Sequence, residues 1–219
     1  MTKIKICGVT NLRDLEVVTS AGADAFGVIV EIPSSPRSIT QEKAKKLIQK
    51  SPLFTSSVSV IAPESLEDAL KICDKIKPDA VQIYNKGFSI KEFTESTSGI
   101  KIIIPVSAFE FESFRSESDA LDYCDAILVD SSTSSQLGGT GKTHDWNKSR
   151  TIRETIKPKQ MILAGGLSSE NVKEAIETVK PYAVDACTGT ERKPGLKDPR
   201  KVQRFISAVR ESDRRNIIE

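Results

Sequence analysis

Three residues of the sequence combine a reactive or charged side chain with a position at or after the end of a hydrophobic run. Cys7 ends a β-prone run, Asp130 ends an apolar run, and Arg37 lies in a polar loop that follows another apolar run. A cysteine alone is most often a small buried apolar residue, whereas a carboxylate at the end of an apolar run is costly unless it is used or paired. Arg37 is either a surface charge or a bidentate fork for a carboxylate.

Glycine-rich segments follow three of the later apolar runs and free backbone N–H groups to face an anion. The first is Gly138–Gly141, directly followed by Lys142, and the others contain Gly165–Gly166 and Thr188–Gly189. Phosphate binding and simple tight turns are the two interpretations of these segments. The Gly-Lys-Thr tripeptide in the first segment does not form a nucleoside-triphosphate loop, because that motif requires a glycine where Gln136 stands.

Short apolar runs alternate with helix-forming segments along the whole chain. The runs are typical of strands buried on both faces, and the segments between them show helical spacing and capping residues such as Thr10, Thr40 and Ser168. Strands are predicted over residues 3–8, 25–30, 57–61, 80–84, 101–106, 125–130, 160–164 and 183–187. Helices are predicted at about 10–21, 40–50, 65–75, 89–97, 112–123 and 147–156, from 168 onwards, and from 198 to about 211.

Regular strand–helix alternation without a linker predicts a parallel sheet with right-handed crossovers. The eight units favour an α/β fold with a single (β/α)8 TIM barrel as one domain over residues 1–219, and a doubly wound open sheet is the alternative. Active sites of such barrels form where the strands run into the following loops, and a phosphate between strands seven and eight is a recurring feature. We therefore expect the residues named above to meet at one end of the barrel.

The composition excludes several classes of function. Lys+Arg at 32 against Asp+Glu at 30 gives a net charge of +2, which argues against a nucleic-acid partner. No signal-peptide pattern and no apolar stretch of bilayer length is present, so we expect a cytoplasmic protein with no membrane partner. Four cysteines without a CxxC spacing and a single histidine, His144, argue against a zinc site and make reduced thiols the default.

In order along the chain, several motifs together resemble the phosphoribosylanthranilate isomerase family of tryptophan biosynthesis. The match runs from near Lys3 to about Phe205, and Lys-Ile-Cys-Gly at the first strand is quite specific to it. The motifs are Lys5-Ile6-Cys7-Gly8-Val9-Thr10, Ser35-Pro36-Arg37, Asp130, Gly138-Gly139-Thr140-Gly141-Lys142-Thr143 with Asp145-Trp146, Ala164-Gly165-Gly166-Leu167, and Val184-Asp185 through Gly189.

This resemblance implies an enzyme with a (β/α)8 fold that needs no metal and no organic cofactor. The family converts N-(5-phosphoribosyl)anthranilate to 1-(2-carboxyphenylamino)-1-deoxyribulose 5-phosphate by an Amadori rearrangement. It implies that Cys7 is the general base, Asp130 the general acid and Arg37 the partner of the anthranilate carboxylate. The further substrate-binding residues it implies are Gln82, Gly139, Gly141, Lys142, Gly165, Gly166, Thr188 and Gly189.

The implied chemistry agrees with the residue types. A carboxylic acid can protonate the furanose oxygen, and a thiolate can then accept a proton from the adjacent sugar carbon. A free cysteine titrates near ~8.5, so we expect the site to favour the thiolate. The expected partner is a small phosphorylated molecule, and the protein is expected to be a monomer or a homodimer.

The sequence departs from the family pattern at three places. Tyr84 and Asn85 replace a His-Gly pair after the fourth strand, Ala186-Cys187-Thr188 replaces Val-Ser-Ser after the eighth, and His144 replaces a phenylalanine. Two alternatives therefore stay open. One is another phosphosugar barrel enzyme, such as an aminoaldose isomerase or an indole-glycerol-phosphate synthase, and the other is a barrel that binds a phosphorylated ligand without converting it.

Overall fold

The computed structural model describes residues 1–84, 87–117, 119–130 and 145–218, and it contains a closed barrel of eight parallel strands. Each strand pairs with the next, and the first pairs with the last through the register Ile6↔Ala186. The predicted barrel is thus confirmed, and the open sheet is wrong. The strands are β1 (Lys3–Ile6), β2 (Ala25–Val30), β3 (Ser56–Ile61), β4 (Ala80–Ile83), β5 (Lys101–Ser107), β6 (Ala126–Asp130), β7 (Gln160–Leu163) and β8 (Ala183–Ala186).

Helices follow the strands and cover the outside of the barrel. They are α1 (Leu12–Ser20), α2 (Gln41–Gln49), α3 (Leu66–Ile76), α4 (Ile90–Ser96), α5 (Phe111–Glu117) with the short helix Ala120–Tyr123, α6 (Trp146–Thr155), α7 (Val172–Val179) and α8 (Pro199–Ile218). Short extra elements also occur, namely the strand Ser38–Ile39 beside β2, the 3-10 turn Thr188–Thr190, and a hairpin of Glu191–Lys193 with Leu196–Lys197.

Three details of the helices differ from the sequence predictions. The side chain of Asn11, not Thr10, caps α1, because the Thr10 hydroxyl instead donates to the carbonyl of Gly195. Helix α7 begins after Asn171 and not at Ser168, since the segment between them forms a turn in which the Ser168 N–H donates to the Asn171 side chain. Helix α8 continues to Ile218, past the predicted end near residue 211.

Two buried apolar clusters show which strand residues point into the barrel and which point towards the helices. One buried cluster contains only strand residues and their immediate extensions, including Val58, Leu128 and Ile162, and therefore fills the barrel. The other joins strand residues such as Ile4 and Ile6 to the helices. Because side chains alternate along a strand, Lys5 and Cys7 in the β1 segment must point into the barrel. None of the helices in the described ranges is long and apolar enough to cross a bilayer.

Hydrogen bonds connect the start of the chain to helix α8. The backbone N–H of Thr2 donates to both carboxylate oxygens of Asp213 at 2.9 and 3.0 Å, and its hydroxyl donates to one of them at 2.9 Å. Asp213 is buried. Because β1 starts at the next residue, this contact fixes the entry of the chain into the barrel.

Replacing Asp213 by alanine should lower the stability of the fold. Hydrogen bonds to a buried charge contribute ~2–3 kcal/mol, which corresponds to roughly 4–12 °C in melting temperature for a chain of this size. The control is Glu211→Ala on the same helix, because its exposed ion pair with Lys173 should contribute under ~1 kcal/mol. Equal melting temperatures for the two variants would contradict the role given to Asp213.

Candidate active site

One cavity lies at the carboxyl end of the barrel strands. It has about 760 Å³ of open space including its mouth. All the predicted site residues that the structure describes line it, namely Cys7, Arg37, Gln82, Asp130, Gly165, Gly166, Thr188 and Gly189. The remaining predicted residues, Gly139, Gly141 and Lys142, belong to the segment 131–144, which lies outside the described residues.

Cys7 is buried at the end of β1, and its sulfur lies against Gly27 of β2. Burial raises the pKa of its thiol because it disfavours the charged form, and the Asp185 carboxylate adds to this. The nearby ammonium groups of Lys5 and Lys197 act in the opposite direction. Burial has the larger effect, so the shift in the pKa of Cys7 is opposite to the one expected for a site that favours the thiolate.

Lys5 is a buried cation inside the barrel that the sequence-based list of site residues missed. Its Nζ donates to Asp185 Oδ2 at 2.9 Å and to Gln82 Oε1 at 3.1 Å. Burial, the largest single effect, would lower the pKa of Lys5. The Asp185 carboxylate, through its charge and its hydrogen bond, and the charges of Cys7 and Tyr84 together outweigh burial, and the pKa is raised. Lys5 therefore stays protonated one pleat below Cys7. In the alternating sequence Lys-Ile-Lys-Ile-Cys, Lys5 and Cys7 lie on the same face of the strand. This alternation is the sequence pattern from which Lys5 could have been predicted as a site residue.

Asp130 ends β6 and is buried at the cavity wall, across the barrel from β1. Tyr84, which follows β4, lines the cavity and accepts a hydrogen bond of 3.4 Å from the Gln82 side chain. Burial raises the pKa of the Tyr84 phenol, and the charges of Asp130 and Cys7 raise it further. Tyr84, one of the residues that depart from the family pattern, is thus a protonated phenol close enough to Asp130 and Cys7 to be affected by the charges of both.

Arg37 is buried in the cavity wall, so its interpretation as a surface charge is wrong. Its Nε donates to both carboxylate oxygens of Glu191 at 2.9 and 3.1 Å, and its Nη2 donates to Oε2 at 2.7 Å. Nη2 also reaches the Thr188 hydroxyl at 3.3 Å. These hydrogen bonds raise the pKa of Arg37. Glu191 therefore occupies the Nε–Nη2 edge of the guanidinium and does not occupy the edge formed by Nη1 and Nη2.

Lys197 is a second buried cation that was missed, and its side chain is 0% exposed. Its Nζ donates to the backbone carbonyls of Cys7 at 2.5 Å and of Cys187 at 3.2 Å. It also donates to the Thr190 hydroxyl at 3.2 Å and to Glu191 Oε1 at 3.4 Å. One ammonium group thus joins the ends of β1 and β8 and reaches the carboxylate that holds Arg37. No sequence motif signals this, since Lys197 comes from the hairpin after β8.

The loops after β7 and β8 form a wall with glycines at its closest points. A Cβ atom on Gly189 would lie 2.2 Å from the carbonyl oxygen of Leu167, so only glycine fits there. Gly165 and Gly166 have φ values of 91° and 63°, a left-handed conformation that favours glycine. Within the described ranges, the N–H groups of these two glycines donate to no backbone carbonyl. This wall offers donors suited to an anion.

Replacing Lys5 by methionine should raise the pKa of the Cys7 thiol further, because it removes the positive charge below the sulfur. The measurement is the rate at which iodoacetamide alkylates Cys7 as a function of pH, located by peptide mass mapping. Lys3→Met is the matched control, since Lys3 is on the same strand but forms an exposed ion pair with Asp24. An alkylation profile unchanged in a folded Lys5→Met protein would show that Lys5 does not act on the thiol.

Comparison with known proteins agrees with this arrangement. The family model described as N-(5'-phosphoribosyl)anthranilate (PRA) isomerase matches residues 4–208. A relative from Methanothrix thermoacetophila, named N-(5'-phosphoribosyl)anthranilate isomerase, is 41% identical over 96% of this chain and 99% of its own. One from Methanosarcina mazei, named N-(5'-phosphoribosyl)anthranilate isomerase 1, is 42% identical over 95% of both chains.

Solved structures with the same fold carry the same family name. The phosphoribosyl anthranilate isomerase of Thermotoga maritima superposes with a TM-score of 0.83 at 33% identity, over 96% of this chain and all of the other. A second isomerase structure, in complex with reduced 1-(o-carboxyphenylamino)-1-deoxyribulose 5-phosphate, gives a TM-score of 0.78 at 31% identity over the same share. With a matching family model and relatives near 40% identity along nearly its whole length, this chain belongs to the N-(5'-phosphoribosyl)anthranilate isomerase family.

Proposed function

We propose that this chain isomerises N-(5-phosphoribosyl)anthranilate to 1-(2-carboxyphenylamino)-1-deoxyribulose 5-phosphate, as an enzyme of tryptophan biosynthesis. The observation that carries the proposal is that a thiol, a carboxyl group and an arginine line one cavity together with a glycine wall. We further propose that the chain acts as one domain over residues 1–219, in the cytoplasm, as a monomer or a homodimer. The reaction opens the sugar ring and moves protons but transfers no other group, so the residues must supply an acid, a base and two anchors.

The first step in the proposed mechanism is ring opening. A proton on the furanose oxygen weakens the bond from that oxygen to the anomeric carbon, and the anthranilate nitrogen then forms a Schiff base with that carbon. Asp130 is the proposed donor, because it ends a buried strand at the cavity wall. In its acid form the carboxyl group has the proton that the leaving oxygen requires.

The second step removes a proton from the sugar carbon next to the Schiff base, and Cys7 is the proposed acceptor. A thiolate whose pKa is raised by burial is scarce at neutral pH but strongly basic. Lys5 and Lys197 set how scarce it is, because both lower the pKa of the Cys7 thiol. The enamine that results then tautomerises to the ketone product. Strands β1 and β6 are far apart around the barrel, so acid and base can face the sugar from two sides.

Two anchors are proposed at the ends of the substrate. The phosphate binds to the glycine wall at Gly165, Gly166 and Gly189, which line the cavity. This is supported by the N–H groups of Gly165 and Gly166, which donate to no backbone carbonyl within the described ranges. The anthranilate carboxylate binds to Arg37 on the edge that Glu191 leaves uncovered. Because Glu191 and Thr188 fix the guanidinium in place, little side-chain entropy is lost when the carboxylate binds.

The two rival functions make different predictions. An indole-glycerol-phosphate synthase is expected to need a lysine facing its substrate, whereas Lys5 is paired with Asp185 and Gln82 inside the barrel. A barrel that only binds a phosphorylated ligand would bind freshly generated phosphoribosylanthranilate without converting it. A continuous assay with that substrate separates the proposed isomerase from both rivals.

The catalytic roles predict that Asp130→Asn and Cys7→Ser each lose turnover and keep affinity. The amide cannot donate an acidic proton, and the serine hydroxyl is almost never ionised at neutral pH, so each rate should fall by ~10²–10⁴-fold. Single-turnover rates and product affinity should be measured for both variants beside the parent. Parental rates in both variants would refute the roles, and loss of product affinity in folded variants would make the residues binding groups.

The carboxylate anchor predicts that Arg37→Ala weakens product binding by ~2–3 kcal/mol, because a partly desolvated ion pair is lost. Arg37→Lys should recover only part of this, since an ammonium lacks the planar fork. A product analogue without the carboxylate is the matched control, because it should bind the parent and the Arg37→Ala variant alike. If both ligands lost affinity equally, Arg37 would not be the carboxylate partner.

A further inference from the structure

Two cysteines stand side by side at the mouth of the barrel. Cys7 follows β1 and Cys187 follows β8, and these strands pair with the register Ile6↔Ala186, so the two cysteines are the next pair along. The Cys7 N–H donates to the carbonyl of Ala186 at 2.9 Å, which continues the ladder to this point. Both residues line the same cavity, and both thiols are free.

Several contacts hold the two backbones together at this point. The single ammonium of Lys197 bonds the carbonyl oxygens of both cysteines. The sulfur of Cys187 lies over Gly8, where a Cβ atom would be 2.9 Å from it. Neighbouring strands lie ~4.7–4.9 Å apart, and a disulfide spans Cα atoms ~4.4–6.8 Å apart. The backbone spacing therefore suits a disulfide, which requires the Cys7 sulfur to rotate away from its place beside Gly27.

We propose that Cys7 and Cys187 form an oxidation site, in which a two-electron oxidant links them in an intramolecular disulfide and blocks the base. With an azo oxidant such as diamide, the Cys7 sulfur adds to the N=N bond. The Cys187 sulfur then attacks the Cys7 sulfur, the S–S bond forms and the S–N bond breaks. The oxidant leaves as the hydrazine with both protons and both electrons of the thiols. The reaction is reversed by a reducing dithiol.

The charges around the pair set the conditions for this reaction. Burial raises the pKa of Cys187 to about 12, while Lys197 and Arg37 lower it, and Cys7 has Lys5 and Lys197 as neighbouring cations. Since the thiolate is the nucleophile, cross-linking should become faster as the pH rises. The other two cysteines lie away from the cavity, Cys73 in helix α3 and Cys124 before β6, and both are buried.

The test treats the reduced full-length protein with diamide and follows both cross-linking and activity. Non-reducing peptide mapping should give one linked pair of peptides, containing Cys7 and Cys187, and thiol titration should show the loss of two thiols per chain. Activity should fall by ~10²–10⁴-fold, as for loss of a general base, and return with dithiothreitol. The activity readout rests on the proposed role of Cys7, whereas the mapping readout does not, so the failures of the two proposals are distinguishable.

Matched variants complete the experiment. Cys187→Ser should remove the cross-link, because the adduct that diamide forms on Cys7 then has no neighbouring thiol to displace the S–N bond. Cys73→Ser and Cys124→Ser should still cross-link and lose activity like the parent. The proposal is overturned if mapping of the parent finds no link between Cys7 and Cys187, or finds either of them linked to Cys73 or Cys124. A linked pair of peptides that contains Cys7 in the diamide-treated Cys187→Ser protein would overturn it as well, because Cys187 would then not be the partner of Cys7.

Discussion

The ammonium group of Lys197 is the contact on which the site most depends. It is fully buried, and it bonds the carbonyls that end the first and last strands of the barrel, so it fastens the seam where the barrel closes. It also reaches Glu191, which holds Arg37. A buried ammonium is costly unless all of its hydrogens find partners, and here four acceptors surround it. The base and the carboxylate anchor are therefore positioned by one group.

Burial and charge oppose each other around Cys7. The apolar interior excludes water and makes the thiolate rare, while two buried cations, Lys5 and Lys197, make it less so. Those cations are in turn tolerable only because Asp185 and Glu191 pair with them. The acidic partner Asp185 partly offsets the benefit that Lys5 brings to the thiolate. The polar interior at the mouth is thus a balanced set of charges, in which removing one changes the chemistry of the others.

Much of this arrangement could be predicted from the sequence, because the strands are continuous apolar runs and the reactive residues stand where those runs end. That rule alone placed Cys7 and Asp130 in one cavity. Arg37 was located correctly, but its partner Glu191 lies 154 residues away, and no local pattern signals such a pair. Lys197 was missed for the same reason. Helix starts were misjudged at Thr10 and Ser168 because their hydrogen bonds go to tertiary partners or to a turn.

The most direct test of the account is a crystal structure with the reduced product analogue bound. The account predicts that the phosphate contacts the N–H groups of Gly165, Gly166 and Gly189, and that the carboxylate contacts Arg37. The second sugar carbon should then lie within ~3.5 Å of the Cys7 sulfur, with Asp130 on the opposite side of the sugar. An analogue bound in the reverse direction, or with Cys7 and Asp130 both out of reach of the sugar, would contradict it.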